Sequence, residues 1–370
     1  MKFTPLLYGL LTLMLCLLTP VAARAEDKGV RLDEFRVRDP FILPDASSGN
    51  YYLVMRSRAG VCVRTSRDLV QWSDPVDVFT RPADFWAGPS VWAPEMHLHK
   101  GKYYIFATFM NDKPIGEQWP DWPARIHRGT QILVADAPTG PFRIFANRPH
   151  TPEGEMALDG MLWIEDGVPY MVYCHEWVQI RDGSIKVIRL QDDLSGAIGE
   201  PKLLFRAGEA HWTPRDRKSH VTDGPAIYRT QTGALLMLWS SFTDSGYTTG
   251  IAESESRSIH GPWTHQMEPL FRKDGGHAMV FRDFEGRLIL ALHSPNREPD
   301  ERCRLFLLED TGKTLRITKP LAEGALFGPP EGGTTKRLAR PKSVMCGCAS
   351  GSMTMFAGLR SRCRMPCRWA

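Results

Sequence analysis

Trp92-Ala93-Pro94-Glu95-Met96-His97-Leu98 runs into a bend at Lys100-Gly101-Lys102 and continues as Tyr103-Tyr104-Ile105-Phe106-Ala107. An apolar stretch, a glycine-containing turn and an aromatic-rich stretch read as two antiparallel strands. The pattern occurs four more times in the chain. Asp39-Pro40-Phe41-Ile42-Leu43 turns near Ser48-Gly49-Asn50 into Tyr51–Met55, and Asp159–Ile164 turns at Glu165-Asp166-Gly167 into Tyr170–Cys174. Asp223–Tyr228 turns near Thr232-Gly233 into Leu235–Trp239, and Gly276–Phe281 turns at Glu285-Gly286 into Leu288–Leu292.

The openings at 39, 92, 159, 223 and 277 leave room for four short strands per unit. Further strands are visible in the fourth unit: Gly250–Ser254, then Gly261-Pro262-Trp263 leading to Leu270-Phe271. Gly140-Pro141-Phe142 matches Gly261-Pro262-Trp263 in the second unit, and Ser66–Trp72 fills that role in the first. Four-stranded units repeated around an axis make an all-β, five-bladed β-propeller over residues 30–320. Convincing amphipathic helical patterns are absent, which excludes α/β barrels and doubly wound folds. A two-sheet sandwich is the alternative.

Residues outside the repeat are of different character. Lys2, the apolar run Leu6–Leu18, Pro20 and Ala23-Arg24-Ala25 have the layout of a secretory signal peptide over residues 1–25, so a secreted or periplasmic protein is expected. From Glu331 to Ala370 the chain holds eight Lys or Arg against one acid, although the whole chain carries only +4. The rest is therefore mildly acidic, which gives no electrostatic reason to bind nucleic acid. No later segment approaches membrane-spanning length. Cys62, Cys174 and Cys303 read as buried free thiols. Cys346, Cys348, Cys363 and Cys367 lie in the basic tail of 331–370, which reads as disordered, with zinc binding as the alternative.

Propeller geometry sorts the polar residues. The first strand of each blade lines the axis and the second runs back, so first-strand starts and second-strand ends share one face. Asp39, Asp159 and Asp223 then meet at one mouth, with Trp92 and His277 at the other two blade starts and His175, Glu176 and His293 at second-strand ends. A strand-start Asp also caps turns, but three in a repeat suit glycoside hydrolysis. One carboxylate deprotonates water and a protonated carboxyl serves the leaving oxygen. In inverting enzymes the two stand roughly 6.5–9.5 Å apart, and a third carboxylate raises the acid's pKa by repulsion.

Asp39-Pro40-Phe41, Trp92-Ala93-Pro94-Glu95, Asp159, Asp223-Gly224-Pro225 and Gly275-Gly276-His277 together resemble glycoside hydrolase family 43 over about residues 30 to 318. The resemblance implies an inverting glycosidase active on arabinose- and xylose-containing polysaccharides or oligosaccharides. It implies Asp39 as general base and Asp159 as the group that tunes and orients the acid. The family's acid is normally Glu in Glu-Gly-Pro, whereas this chain has Asp223, about 1.5 Å shorter in reach. Asp223 is the expected acid with Glu176 as the substitute candidate, and a non-catalytic glycan-binding propeller is the alternative function. The resemblance turns His277 toward a central cation, calcium held largely through water, or toward the sugar. Calcium prefers oxygen ligands, so no cofactor is required and calcium stays open. Trp92, Trp86, His175, Trp177 and His293 are candidates for the sugar platform, and the insertion Asn111–Gly129, with Asp121 and Trp122, for shaping the pocket. A carbohydrate substrate and a monomeric state are expected, without nucleic-acid or membrane partners.

Overall fold

The structure is a computed structural model that describes residues 29–321. The expected signal peptide and the Cys- and Arg-rich tail lie outside the described residues. Five four-stranded antiparallel sheets follow one another along the chain. Short strands β1 (Val30–Arg31) and β5 (Gln71–Trp72) pair beside blade 1, which is β2 (Phe41–Asp45), β3 (Asn50–Arg56), β4 (Gly60–Ser66) and β6 (Val76–Thr80). Blade 2 is β7 (Val91–His99), β8 (Lys102–Pro114), β9 (Ile126–Ala135) and β10 (Arg143–Ile144). Blade 3 is β11 (Ala157–Glu165), β12 (Val168–His175), β13 (Ser184–Leu190) and β14 (Ala197–Arg206), with one helical turn, α1 (Trp177–Ile180), after β12. Blade 4 is β15 (Asp223–Arg229), β16 (Leu235–Thr243), β17 (Gly246–Ser254) and β18 (Trp263–His265). Blade 5 is β19 (Gly276–Arg282), β20 (Leu288–Ser294), β21 (Arg302–Asp310) and β22 (Leu315–Pro320).

The propeller explains the sequence pattern. A second strand is covered on both faces by neighbouring blades, so it reads as a continuous apolar run instead of an alternation. Leu235 through Trp239 are all fully buried. The outermost strand β14 faces solvent along most of its length. Apolar side chains form five clusters, one for each seam. Val54, Val61 and Phe79 meet Met96 and Phe109 between blades 1 and 2. Phe106 and Ile132 meet Met171 and Tyr173 at the next seam, then Val187 and Phe205 meet Met237 and Trp239. Leu236 and Ile251 meet Leu290 and Phe306. Ile42, Leu53 and Trp72 meet Ile289 and Leu305, which closes the ring.

Closure uses no strand shared between the first and last blades, since blade 1 is β2-β3-β4-β6 and blade 5 is β19-β20-β21-β22. The two ends meet through side chains instead. Glu301, with its side chain wholly buried, takes Arg36 Nε and Arg38 Nη1, each at 3.1 Å. Arg302 Nε donates to the carbonyl of Asp33 (3.1 Å).

Two local expectations change. The segment Ser66–Trp72 is not the fourth strand of blade 1. Its Gln71-Trp72 pairs with the N-terminal Val30-Arg31, and Val76–Thr80 completes the sheet. In blade 4 the last strand is Trp263–His265, and Phe271 of the expected Leu270-Phe271 adds an isolated antiparallel bridge to Thr249 of β17. The expected insertion Asn111–Gly129 is partly strand, with Pro114 paired to Ile126. Cys62, Cys174 and Cys303 are buried free thiols, as expected. Among the described residues, no helix is long and apolar enough to cross a membrane.

The closing seam should carry ordinary core energetics. Leu53 is fully buried there, so Leu53→Ala is expected to cost about 2–5 kcal/mol in chemical denaturation. A loss below about 1 kcal/mol would contradict a packed seam between blades 5 and 1.

Candidate active site

Each blade places one residue at the axis by a backbone device the sequence does not display. Asp39, Ala93, Asp159, Gly224 and His277 all have positive φ, from 40° to 55°. In blades 2 to 5 these positions lie in breaks of register, between Trp92 and Glu95, Leu158 and Met161, Asp223 and Ala226, and Gly276 and Met279. Such bulges re-aim a side chain relative to its strand. Left-handed backbone at a non-glycine residue costs of order 1–3 kcal/mol and collects at functional sites. The expected equivalence of the five openings is therefore off by one in two blades. Trp92 and Asp223 precede the axial positions, which are Ala93 and Gly224.

The axial residues and their neighbours form a closed circuit. His277 Nδ1 lies 3.3 Å from Asp39 Oδ1 and 3.8 Å from Asp159 Oδ2. Asp159 Oδ2 accepts the Gly224 N–H (3.1 Å), next to Asp223. Tyr247 Oη donates to Asp223 Oδ2 (3.0 Å), and its ring stacks on His293 at 5.5 Å and 19°. His293 Nδ1 returns to Asp39, 3.3 Å from Oδ1 and 3.2 Å from the backbone N–H that donates to it. The gaps between blades are filled closely. A Cβ on Gly224 would stand 2.7 Å from His277 Cγ, so no other residue fits there without displacement. The Asp159 N–H donates to Thr108 Oγ1 and the His277 N–H to Ser240 Oγ, each at 2.9 Å.

The three carboxyls share one mouth but not one state. Burial works against ionisation of Asp39, yet His277, the nearby His293 and Arg38 outweigh it and hold the carboxyl well below the usual range. Asp39 keeps 18 % of its side chain exposed, so water reaches it. Burial pushes Asp223 up to about 6, opposed by the Tyr247 hydrogen bond and assisted by the charge of Asp39. Burial, then the charges of Asp223 and Asp39, raise Asp159 well above the carboxylate range. The charge that lifts Asp223 is thus Asp39's rather than that of Asp159, which itself favours its proton. Burial holds His277 near 4, so the ring is neutral at neutral pH, with Nδ1 3.3 Å from Asp39 Oδ1.

Glu176 is 2 % exposed, and its Oε1 takes Arg128 Nη1 at 2.7 Å. Burial raises it to about 7 against the pull of Arg128, with the Asp223 charge adding to the rise. The Arg128 guanidinium covers the Trp92 ring at 4.6 Å. His175 is held elsewhere, by Gln179 Oε1 (2.8 Å) and near Glu155 (3.8 Å). Trp177 packs edge-on against Trp122, whose indole N–H donates to the Val178 carbonyl (2.8 Å) and pins the insertion to α1. Trp86 donates to Gln131. Arg38, Arg128 and Tyr247 were not foreseen. Arg38 had a signal in its place beside Asp39. Tyr247 had none, because it sits 24 residues from the carboxyl it serves.

The Asp39 and Asp159 oxygens face His277 Nδ1 and the Gly224 N–H. Among the described residues, no group of three or more His, Cys, Asp or Glu side chains is spaced to hold a metal.

The sequence profile of Glycosyl hydrolases family 43 matches residues 33–318. The chain belongs to this family. Solved structures agree with it. An endo-arabinase from Bacteroides thetaiotaomicron is 40% identical, with 78% of this chain and 100% of that one covered at a TM-score of 0.71. An endo-1,4-beta-xylanase from the same organism is 20% identical, with 77% of this chain and 94% of that one covered (TM-score 0.61). An alpha-L-arabinofuranosidase from Lactobacillus brevis is 17% identical, with 78% and 99% covered (TM-score 0.61). The last two show the shared fold. Among curated proteins none matches. The family-43 propeller is thus a glycosidase, with its acidic circuit at the axis.

The His277 environment can be read directly. Its ring in the family-43 domain should titrate near pH 4 instead of the ordinary value of about 6.5. In Asp39→Asn it should titrate lower still, because Asp39 is what favours the imidazolium. Ring-nitrogen NMR shifts across pH 3–8 report both, and a midpoint near the ordinary value would contradict the buried contact.

Proposed function

We propose that the protein is a secreted or periplasmic, inverting glycosidase that cleaves arabinose-containing polysaccharides or oligosaccharides, with xylose-containing glycans as the related class. The opposed protonation of two carboxyls in one circuit carries this reading: Asp39 is kept ionised and Asp223 is raised to about 6. The sugar is suggested by the endo-arabinase at 40% identity. Secretion is suggested by the apolar run and Ala23-Arg24-Ala25 of residues 1–25.

In this mechanism Asp39 takes a proton from water as the water oxygen bonds to the anomeric carbon. The bond to the leaving oxygen breaks, and that oxygen takes the proton of Asp223. Attack from the face opposite the leaving group inverts the anomeric centre. Asp159, itself uncharged, orients the acid by accepting the Gly224 N–H beside it. His277 and His293 hold Asp39, and the sugar is bound above this layer. The carboxyls supply both proton transfers, so no cofactor enters, and one chain contributes every residue, so a monomer suffices.

Glu176 is the second reading for the acid, favoured by its rise to about 7. Its contact with Arg128 stabilises the ionised form, which weighs toward Asp223.

Asp39→Asn should lower turnover of linear arabinan by roughly 10²–10⁴-fold while substrate binding persists. NMR of the first product should show the inverted anomer, and retention of configuration would remove the mechanism. The acid is found by comparing Asp223→Ala with Glu176→Ala on a poor and an activated leaving group. Only loss of the donor hurts the poor one disproportionately. A general acid works only while protonated, so kcat/KM should fall as pH rises above about 6. Activity should survive extensive chelation, and loss restored by calcium would show that the site needs the ion.

A further inference from the structure

Asp223 has a shorter arm than the Glu it replaces in the resemblance, and its carboxyl is held by a residue outside the acidic set. We propose that Tyr247 is the positioning residue for proton donation, fixing one oxygen of Asp223 and bracing the acid against the base side of the site. This deepens the reading of Asp223 as proton donor and rests on it.

The Tyr247 side chain is placed from every side. The residue is 2 % exposed and its Oη donates to Asp223 Oδ2 at 3.0 Å. Its ring stacks on His293, whose Nδ1 stands 3.3 Å from Asp39 Oδ1. The other side lies against bare backbone. A Cβ on Gly276 would fall 2.5 Å from Tyr247 Cε1, so glycine at the opening of blade 5 makes room for the ring. The backbone is tied as well: the Tyr247 N–H donates to Asp274 Oδ1 (3.2 Å), and its carbonyl accepts the Gly275 N–H (2.9 Å). One phenol therefore spans the acid of blade 4 and the histidine that faces the base of blade 1.

The chemical consequence is a division of labour between the Asp223 oxygens. Oδ2 accepts the phenolic O–H, so the transferable proton sits on Oδ1. In the reaction the Oδ1–H bond breaks, the proton passes to the glycosidic oxygen, and that oxygen keeps the electron pair of the broken bond to the anomeric carbon. Tyr247 keeps its own proton throughout, since burial, and then the Asp223 and Asp39 charges, raise the phenol well above its ordinary value. Its hydrogen bond strengthens as Asp223 becomes a carboxylate, which favours proton release at the moment of bond breaking. The groups that also face Asp223 are Asp39 and Arg38 of blade 1, Asp159, Cys174 and Glu176 of blade 3, and His293 of blade 5.

Tyr247→Phe in the full-length enzyme removes the hydroxyl and keeps the ring. Turnover of an arabinoside with a poor leaving group should fall roughly 10- to 100-fold, and an activated aryl arabinofuranoside should change far less. The alkaline limb of kcat/KM should move upward, because the lost hydrogen bond favoured ionised Asp223. Replacing Tyr247 with 3-fluorotyrosine strengthens the donor and should move that limb down, which decides the matter if the Phe variant does not fold. A limb that moves in neither variant, with no leaving-group contrast, overturns the proposal. Adding Tyr247→Phe to Asp223→Asn should produce no further contrast, and a further contrast there also overturns it. Absence of a leaving-group effect in Asp223→Asn alone defeats instead the assignment of Asp223 as the acid.

Discussion

One imidazole nitrogen standing between carboxylates of two blades organises the mouth of this propeller. His277 Nδ1 reaches Asp39 at 3.3 Å and Asp159 at 3.8 Å. Two acids brought together in a dry site repel each other, which favours a proton on one of them, here Asp159. A neutral imidazole placed there fills the space between them without introducing a full buried charge. The position exists because the blade-5 bulge turns His277 inward at φ 51°, and because Gly224 in the next blade has no side chain to occupy the same space.

The electrostatic asymmetry follows from what else each carboxyl touches. Asp39 lies beside Arg38, His277 and His293, and those contacts prevail over burial. Asp223 has the Tyr247 hydroxyl and Asp159 the Gly224 N–H, both neutral donors, and burial prevails. Three aspartates on one scaffold therefore divide into one held well below the usual carboxylate range and two raised above it. Arg38 joins this chemistry to the architecture, because the same guanidinium that helps Asp39 ionise pairs with buried Glu301 at the ring closure. The seam between the first and last blades is thereby coupled to the charge at the axis.

Much of the fold was legible because a blade's second strand is buried on both faces. Tyr103–Ala107 and Leu235–Trp239 read as uninterrupted apolar runs after a turn, and five such pairs count the blades. The carboxyls of the mouth were legible as polar residues opening the first strands. The register was not. A bulge adds one residue and leaves no mark in composition, so Trp92 and Asp223 looked equivalent to Asp39 when Ala93 and Gly224 are. Contacts between blades were equally hidden, since His293 and Asp39 are 254 residues apart. His175 illustrates the cost. Its neighbour Cys174 packs into the seam between blades 3 and 4, and the alternation of a strand turns His175 the other way, to Gln179 and Glu155.

The off-by-one register also sets Asp223 apart from the other two aspartates. Asp39, Asp159 and His277 occupy the strained axial positions themselves, so their side chains project from re-aimed backbone. Asp223 stands one residue earlier, and the axial position of its blade falls to Gly224, whose N–H is free to bind Asp159. Asp223 thus leaves the axial position of its blade to a glycine instead of occupying it. A carboxyl so placed lacks the axial histidine as a brace, and the contact that fixes it must come from its own sheet. β17 supplies that contact through Tyr247. In the proposed role of Asp223 as proton donor, the missing methylene matters less than where the carboxyl is anchored, because a proton is transferred over hydrogen-bond distance from a fixed oxygen, and a longer side chain without that anchor would reach farther but with less defined geometry.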